Sequence, residues 1–354
     1  MKNILENINV NKNATIAVAM SGGVDSSVTA YLLKKKGFNI FGVTMKTTEN
    51  DIDADAKKVC DDLGIKHYIF DISEEFSNKV VDYFVQEYNN GRTPNPCMVC
   101  NKYIKMGALI DFCLEKGADF MATGHYSNIS DGSLKIGEDL KKDQAYFLSQ
   151  VSKEKLKHII FPLGNISKEE VRQLGKDLGV RVYSKKDSQE ICFVEDGKLK
   201  EFLIEKTKGK IVKPGNFVDT KGNILGKHKG LAFYTIGQRK GLGIAAPSPY
   251  YVLKLDGTKN EVILGSNEEL FKSSLIADDI NLLKVNSLND LNGMICKAKT
   301  RSRDKFHPCK IEVLNENEIK VIFTEDQVRA VTPGQGVVLY DDSYEVIASG
   351  FIKE

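Results

Sequence analysis

Short apolar runs alternate with helical patterns over the first third of the chain. The strand-like runs lie at 16–20, 38–45, 67–71 and 120–123, and the helical patterns lie at 26–36, 53–63, 74–89 and 101–116. Strands that alternate with helices predict an α/β fold with a doubly wound parallel sheet. Because ligands of such sheets bind at the carboxyl ends of the strands, we expect a site near residues 19–23, Met45 and 122–126.

The pattern changes after residue 206. Residues 209–244 are rich in glycine and lysine and carry short strand-like runs, which predicts a small β-rich module. From residue 272, alternating runs such as EIKVIF and GVVLY predict a compact β-barrel. The expected domains are an N-terminal α/β domain at 1–206, the central module at 207–271 and the barrel at 272–354.

The turn between the first strand and the first helix reads AMSGGVDSS. Its glycines let backbone amides approach an oxyanion, its serines add donors, and the helix start contributes unpaired N–H groups. The loop lacks the lysine of a Walker A motif and resembles the SGGxDS loop of ATP pyrophosphatases, which cut ATP between the α- and β-phosphates. The alternative is a glycine turn that only caps the helix.

This resemblance assigns ATP and Mg²⁺ to the loop. Asp25 would reach a phosphate-bound Mg²⁺, Met45 would face the adenine unless it only packs in the core, and Gly124 would permit a close backbone approach. The residues expected to bind ATP are Ala19, Met20, Ser21, Gly22, Gly23, Val24, Asp25, Ser26, Met45 and Gly124.

Composition and charge restrict the classes of protein to which this chain can belong. A chain of 354 residues that is 42% hydrophobic can form two or three domains with substantial cores. No run approaches the roughly 18 apolar residues of a membrane span, and the polar N-terminus lacks the apolar core of a signal peptide. We therefore expect a cytoplasmic protein with no membrane partner. Because the net charge is only +2, any affinity for nucleic acid must come from local patches.

Two cysteines stand close together in the segment PNPCMVC. Pro94 and Pro96 hold the chain extended there, so Cys97 and Cys100 are expected where a loop enters a helix that starts near Asn101. A thiol at a helix N-terminus has a lowered pKa. We therefore expect both cysteines to be available as thiolates near neutral pH.

A third cysteine, Cys192, follows two cations, Lys185 and Lys186, whose charges favour a thiolate. The chain has seven cysteines, an odd number, which favours thiol chemistry, metal binding or burial over a disulfide framework. The cysteines expected to be buried and inert are Cys60, Cys113, Cys296 and Cys309.

Seven motifs occur in one order across nearly the whole chain. They are SGGVDSS, GRTPNPxxxCNKxIK, ATGHY, KDQAYFL, KKDSxxICF, HKGLxFYTIGQRKGLGI and AVTPGQ. Together they resemble the tRNA 2-thiouridylase family, which places sulfur on C2 of the wobble uridine of certain tRNAs. The resemblance implies a tRNA-uridine 2-sulfurtransferase whose first domain has the pyrophosphate-loop fold of adenine nucleotide alpha hydrolases.

The family's chemistry implies two half-reactions at uridine 34. ATP adenylates the uridine O2, which turns a poor leaving group into a good one, and a cysteine persulfide then supplies sulfur to C2. By position, Cys192 resembles the persulfide carrier and Cys100 the partner nucleophile. Exchange between them would generate a transient disulfide that must be reduced in each turnover.

The same resemblance implies RNA contacts and partners. Asn95, Pro96 and Cys97 would meet the target base. The expected substrates are lysine, glutamate and glutamine tRNAs, held at the anticodon, and the expected sulfur donor is a cysteine desulfurase or a sulfur-relay protein. The residues that match tRNA-contacting positions are His125, Lys142, Asp143, Gln144, Arg301, Ser302 and Gln335.

The chain departs from the commoner family pattern at Cys97, where the motif has an aspartate assigned to the target base and to proton handling. A thiol with a reference pKa of about 8.5 is not a standing carboxylate. Cys97, Cys100 and Cys192 could instead supply three thiolates to a [4Fe–4S] cluster, as related tRNA-thiolating enzymes do. A cluster-dependent route to the same product is therefore the alternative.

The segment KAKTRSRDK concentrates positive charge. It places Lys297, Lys299, Arg301, Arg303 and Lys305 on odd positions, so the period of two in a strand would aim all five at one face. This spacing predicts a stripe that tracks RNA phosphates, and a solvated strand face is the alternative. Affinity for tRNA is then expected to fall steeply with salt.

Two other functions would explain the loop alone. A nitrogen-transferring ATP pyrophosphatase of the argininosuccinate or GMP synthetase type gives no role to Cys100, Cys192 or the basic segment. An RNA-binding protein with a vestigial nucleotide fold would carry a degraded loop, whereas SGGVDSS is intact.

Overall fold

The computed structural model describes residues 10–48, 54–130, 132–185, 191–245 and 247–354, so Asp53 and Lys186 lie outside the described part. The strands of its first half are β1 (Thr15–Ala19), β2 (Asn39–Lys46), β3 (His67–Asp71), β4 (Phe120–Ala122), β5 (Ser127–Ser130), β6 (Ser133–Ile136) and β7 (Ile159–Ile160). Within the described residues, five of these strands form a parallel sheet in the order β3-β2-β1-β4-β7, and β5 and β6 form a hairpin.

Both faces of the parallel sheet are covered. Ala17 of β1 belongs to the same buried cluster as Phe41, whereas Ile16 and Val18 belong to a second cluster with Leu33 of the following helix. Strands buried on both faces need continuous apolar runs rather than alternating ones. The predicted doubly wound sheet is therefore confirmed.

Helices pack against this sheet and connect its strands. They are α1 (Val24–Lys35), α2 (Ala54–Asp62), α3 (Ser73–Phe76), α4 (Asp82–Asn89), α5 (Pro96–Cys100), α6 (Leu109–Glu115), α7 (Ala145–Leu148), α8 (Lys153–Leu156), α9 (Lys168–Asp177) and α10 (Leu199–Lys206). Two π-helical segments, π1 (Ser77–Val81) and π2 (Asn101–Ala108), join α3 to α4 and α5 to α6. Among the described residues, no helix combines the length and apolarity that crossing a membrane requires.

The helix that carries Cys97 and Cys100 begins earlier than predicted. It starts at Pro96 rather than near Asn101. Proline is favoured at the first helical position, because its φ suits a helix and its missing N–H is not needed there. Asn95 caps this start by accepting a hydrogen bond from the Met98 N–H at 3.3 Å. Both cysteines therefore lie inside the first turns of the helix.

A small β-rich module follows α10. Its strands are β8 (Gly215–Asp219), β9 (Ile224–His228), β10 (Tyr251–Asp256) and β11 (Glu261–Gly265). Within the described residues they pair in the order β10-β11-β8-β9 around a core that includes Phe217, Val252 and Leu264.

The chain ends in a closed barrel. The strands are β12 (Phe271–Lys272), β13 (Ser274–Leu282), β14 (Ile295–Lys299), β15 (His307–Val313), β16 (Ile319–Phe323), β17 (Val328–Arg329), β18 (Gly336–Tyr340) and β19 (Val346–Ile352). In the described range 247–354, six of them close in the order β13-β16-β15-β14-β18-β19, which confirms the predicted barrel.

The barrel packs directly on the α/β domain. The buried Tyr146 hydroxyl of α7 donates to the carbonyl oxygens of Gly336 at 3.0 Å and Thr300 at 3.3 Å. The Thr93 N–H donates to the Pro333 carbonyl at 2.9 Å. The loop before α5 is therefore held by the barrel.

Candidate active-site cleft

The loop between β1 and α1 is organised by its own glycines and serines. Gly22 has φ of +66°, a left-handed conformation that favours glycine. The Ser21 N–H donates to the Ser26 hydroxyl at 3.2 Å, and the Ser27 hydroxyl donates to the Gly23 carbonyl at 2.8 Å. Gly23 stands immediately before α1, so unpaired N–H groups at the helix start face the loop. This arrangement suits an anion.

A lysine from a distant helix meets this loop. The Lys168 ammonium lies 2.7 Å from both carboxylate oxygens of Asp25, and the Tyr126 hydroxyl donates to Asp25 Oδ1 at 2.8 Å. Sequence reasoning missed Lys168, because it is 143 positions from Asp25 and its own segment shows only the capping pattern of a helix start. The loop thus acquires a buried cation that its own motif lacks.

A second lysine at the loop is Lys185, which the sequence analysis had placed beside Cys192. Lys185 Nζ donates to the Gly22 carbonyl at 3.2 Å and forms an ion pair with Asp55 at 3.1 Å. Lys185 was expected to favour a thiolate at Cys192, and the structure shows it bound at the loop. Lys186, the other expected neighbour, lies outside the described residues.

The loop opens into a cleft of about 990 Å³. Cys100 and Cys192, which are 92 positions apart, both line it together with the end of β1 and the start of α1. The residues predicted to bind ATP that line the cleft are Ala19, Met20, Ser21, Asp25, Ser26, Met45 and Gly124. The fold therefore brings the loop and the two thiols into one space.

Gly124 makes the close approach that was predicted for it, but to the protein itself. A Cβ at this position would lie 2.8 Å from the Asp25 carbonyl carbon and 2.9 Å from the Ser26 nitrogen. Contacts that short force a shift of the backbone. Glycine at 124 therefore allows the end of β4 to pack on the start of α1.

The two cysteines of α5 are less acidic than predicted. Burial raises the pKa of Cys100 to about 11, and desolvation also raises the pKa of Cys97, although Cys97 is solvent-exposed. The predicted lowering was wrong, because loss of water around each thiol outweighs the helix dipole and the charge of Lys105. A charge on Cys192 raises both pKa values further, so the three thiols interact. The other four cysteines are buried, as predicted.

The three thiols do not form a metal site in this structure. Among the described residues, which include Cys97, Cys100 and Cys192, no group of three His, Cys, Asp or Glu side chains is placed to hold a metal ion. Cys97, Cys100 and Cys192 are therefore not gathered around a common point in this structure. A Mg²⁺ site needs fewer protein ligands, because one carboxylate plus substrate phosphates suffices for this ion. Asp25 is the carboxylate at the loop, and in this structure Lys168 binds both of its oxygens, so Mg²⁺ would have to displace that ammonium group from at least one of them.

The residues predicted to contact tRNA near β4 have internal partners. Burial and then the charge of Lys105 lower the pKa of His125 to about 3, so its imidazole is neutral. Its Nδ1 lies 2.7 Å from the Thr123 hydroxyl. Gln144 accepts the Tyr126 N–H at 2.9 Å, and Asp143 accepts from the backbone of Gly137 at 2.9 Å. The neighbouring Lys142 is half-buried.

The predicted basic stripe is wrong. Strand β14 ends at Lys299, and the chain turns at 300–303, so the odd positions do not share one strand face. Lys297 pairs with Asp342, Lys305 pairs with Asp326, and Lys299 is buried. The turn arises where the chain reverses direction from β14 to the antiparallel β15. The acidic partners come from distant positions, so the local sequence does not reveal them.

The remaining predicted RNA contacts, Arg301, Ser302 and Gln335, lie at the same end of the barrel. Arg301 donates to the Ala330 carbonyl and to the Thr332 hydroxyl. The Gln335 amide donates to the carbonyl oxygens of Thr93 at 2.8 Å and Pro94 at 3.2 Å. Gln335 thus supports the loop before α5, whereas Arg301 supports residues 330 and 332 of the barrel domain. Ser302 is half-exposed in the turn that follows Arg301.

Three family profiles match successive parts of the chain. They are the tRNA methyl transferase HUP domain at 14–196, the tRNA methyl transferase PRC-barrel domain at 200–266 and the aminomethyltransferase beta-barrel domain at 272–352. The chain is 61% identical over 344 residues to tRNA-specific 2-thiouridylase MnmA 1 of Fusobacterium nucleatum subsp. nucleatum, covering 97% of this chain and 94% of that protein. The chain belongs to the tRNA-specific 2-thiouridylase (MnmA) family. The MnmA family match thus agrees with the resemblance carried by the motifs.

Further MnmA relatives match over the full length. The chain is 46% identical over 358 residues to the tRNA-specific 2-thiouridylase MnmA of Halothermothrix orenii, covering 96% of this chain and 99% of that protein. Among solved structures, the chain is similar to the U34-tRNA thiolase NcsA from Methanococcus maripaludis with its [4Fe–4S] cluster. That match has 22% identity and a TM-score of 0.39, and it covers 58% of this chain and 70% of the other.

Proposed function

We propose that this chain makes 2-thiouridine at position 34 of tRNA, by adenylating the uridine O2 with ATP and then delivering sulfur from a Cys192 persulfide. One observation carries the proposal: Cys100 and Cys192 line the same cleft as the phosphate loop. A nucleotide site and two thiols in one space serve a reaction in which an activated oxygen is replaced by sulfur. Membership of the MnmA family supports the same product.

The activation step uses the loop. The uridine O2 attacks the α-phosphorus of ATP, the bond to the β-phosphate oxygen breaks, and pyrophosphate leaves. The N–H groups of Gly22, Gly23 and the start of α1 would face the phosphates. The Lys168 and Lys185 ammonium groups beside the loop would offset the charge that pyrophosphate gains. Mg²⁺ bound at Asp25 would neutralise further phosphate charge.

The transfer step uses the two thiols. The terminal sulfur of the Cys192 persulfide attacks C2, and AMP leaves with the former O2. The Cys100 thiolate then attacks Cys192 Sγ, which breaks the S–S bond and leaves sulfur on C2. The transferred sulfur is reduced, and Cys100 and Cys192 are oxidised to a disulfide, so an external thiol must reduce them before the next turnover.

The segment 95–97 is proposed to receive the target base. Asn95 and Pro96 form the start of α5, and Cys97 is solvent-exposed on the first turn. The raised pKa of Cys97 means that it presents an S–H group rather than the negative charge of the family's aspartate. The tRNA is proposed to bind across the adjoining loop and barrel, and a cysteine desulfurase or relay protein to load the solvent-exposed Cys192.

A mercury gel tests the proposal directly. The full chain is incubated with unmodified tRNA, ATP and a persulfide source, and thiolated tRNA is detected by its retardation. We expect a retarded band with the wild type and with Cys113→Ala, whose thiol is buried outside the cleft. We expect Cys192→Ala and Cys100→Ala to lose the band, because each removes one of the two sulfur atoms that the transfer requires.

Other outcomes assign the protein to the alternatives. A wild type without a retarded band, or an unchanged band in Cys192→Ala, would sink the proposal. Release of pyrophosphate that depends on ammonia and not on tRNA would indicate a nitrogen-transferring synthetase. Iron and labile sulfide in anaerobically purified protein, lost together with the band in Cys97→Ser, would replace the persulfide route by a cluster-dependent one.

A further inference from the structure

The π-helical segment π2 places Lys105 on the helix face that carries Cys100. π2 begins directly after Cys100, and the Leu109 N–H at its end donates to the carbonyl of Ile104, five residues earlier. In a helix with hydrogen bonds between residues i and i+5, residues five apart stand one above the other, as residues four apart do in an α-helix. Lys105 is five residues from Cys100. The π-helical geometry therefore turns Lys105 toward the face that carries Cys100, whereas an α-helix would turn it away.

The position of Lys105 in the cleft agrees with this geometry. Lys105 lines the cleft together with Cys100, Cys192 and His125. It forms no hydrogen bond or ion pair with any residue in the described part of the chain. Lys102, earlier in the same segment, instead binds Asp279 at 2.8 Å. In π2, Lys102 therefore forms an ion pair with another part of the fold, whereas Lys105 lines the cleft with the thiols.

The charges around Lys105 explain why it stays protonated. Burial disfavours its charge, but the thiolates of Cys100, Cys97 and Cys192 outweigh burial, so the pKa of Lys105 is raised. In return, the Lys105 charge lowers the pKa of Cys97 and Cys100 and opposes part of the effect of burial. The coupling is reciprocal, as linkage requires.

We propose that Lys105 is a positioning residue for sulfur transfer: its ammonium group is the counter-charge that stabilises the nucleophilic anionic forms of Cys100 and of the persulfide on Cys192. This inference rests on the proposed function and adds a named residue to it. A buried thiol without a counter-charge remains protonated at neutral pH, and the thiolate is the nucleophile in exchange. Lys105 thus offsets a cost that burying Cys100 imposes.

Other titratable groups at the cleft are already engaged or neutral. Asp25 is bound by Lys168 and by the Tyr126 hydroxyl. His125 is neutral at physiological pH, with a pKa of about 3. Glu195 pairs with Lys198. If replacing Lys105 changes the ionisation of Cys100, the change is therefore due to loss of the lysine charge.

The test is the pH dependence of cysteine alkylation in the full chain, without tRNA or ATP. Iodoacetamide labelling of Cys100 is followed by peptide mass spectrometry from pH 7 to 12, a range that includes the midpoint expected from its pKa of about 11. The proteins compared are the wild type, Lys105→Met, Lys105→Gln and Lys105→Arg. The matched control is Lys35→Met, which removes an exposed lysine at the far end of α1. We expect Lys105→Met and Lys105→Gln to slow labelling of Cys100 by about tenfold at a fixed pH, the effect of one pKa unit. Lys105→Arg and Lys35→Met should keep the wild-type profile.

Superimposed pH profiles in Lys105→Met and the wild type would overturn the inference. A purely structural role would change melting temperature or labelling at every pH without moving the midpoint, and that result would also overturn it. Because labelling uses neither substrate, its outcome is separate from that of the mercury gel. A shifted midpoint with no thiolated tRNA would refute the proposed function and leave the charge pairing in place.

Discussion

Burial changes the chemistry of single side chains in the cleft. Cys100 has a pKa raised to about 11, and His125 has one lowered to about 3, each mainly because surrounding protein excludes water. Burial disfavours whichever form is charged, so thiols become weaker acids and histidines weaker bases. The neutral His125 ring cannot form an ion pair with an RNA phosphate. Its role in tRNA binding, if retained, is that of a hydrogen-bonding or stacking group.

At the residue scale, we predict that His125 does not titrate between pH 5 and 8. Nuclear magnetic resonance of the ring protons, assigned by their loss in His125→Asn, should show the neutral form throughout this range. The unfolded chain binds a proton near pH 6.5 and the folded chain does not, so stability falls as pH decreases below 6.5. That loss should be smaller in His125→Asn. A titration midpoint near 6.5 in the folded protein would contradict the prediction.

At the scale of elements, a barrel loop holds the helix that carries two of the cysteines. Residues 331–335 contact the segment before α5 through the Gln335 amide and through the Pro333 carbonyl. Gly334 has φ of +91°, and a Cβ there would lie 2.8 Å from the Thr93 carbonyl oxygen. The position of Cys97 is therefore set by a domain more than two hundred residues away in sequence.

Gln335→Leu tests this element contact. We expect the free energy of unfolding in urea to fall by about 1–3 kcal/mol, because two carbonyl groups lose their donor. Gln327→Leu, an exposed glutamine in the same barrel, should leave it unchanged. A variant that loses affinity for tRNA but keeps wild-type stability would show that Gln335 serves RNA binding alone.

At the scale of the whole molecule, positive and negative charges nearly balance. The chain carries 50 basic and 48 acidic residues, and two cations of the basic segment, Lys297 and Lys305, pair with carboxylates. Arg303 differs, because it is exposed and forms no ion pair with a described residue. A cation that is already paired gains less from a phosphate, since it must first give up its carboxylate.

The salt dependence of tRNA binding should therefore depend on which cation is removed. We expect Arg303→Gln to reduce the slope of log affinity against log salt by about 1, the effect of one lost phosphate contact. Lys297→Gln should reduce it by less, because Lys297 pairs with Asp342. Filter binding at several salt concentrations measures both slopes. Equal slopes for the wild type and both variants would exclude this end of the barrel as the tRNA surface.

Much of the fold and part of the cleft could be predicted from local patterns. The continuous apolar runs predicted the parallel sheet, since strands covered on both faces need no polar positions. The glycines of AMSGG predicted the loop. In the structure, Gly22 has a left-handed φ, a conformation that favours glycine. The start of α5 was missed because Pro96 was taken as a helix breaker, whereas proline at the first helical position favours a helix. The predicted basic stripe was wrong because it assumed a strand that continues to Lys305, whereas β14 ends at Lys299.

The sequence by itself determined the order of the parallel sheet and the barrel, and it identified the loop and the cysteines that we propose to be functional, because motif and periodicity are properties of neighbouring residues. Only the tertiary structure decided that Cys100 and Cys192 share a cleft, that Lys168 meets Asp25, and that Lys105 faces the thiols. The first two facts depend on long-range chain crossings and burial, which no local pattern encodes. The third depends on a π-helical segment at Asn101–Ala108, a departure from α-helical geometry that the hydrophobic pattern did not reveal.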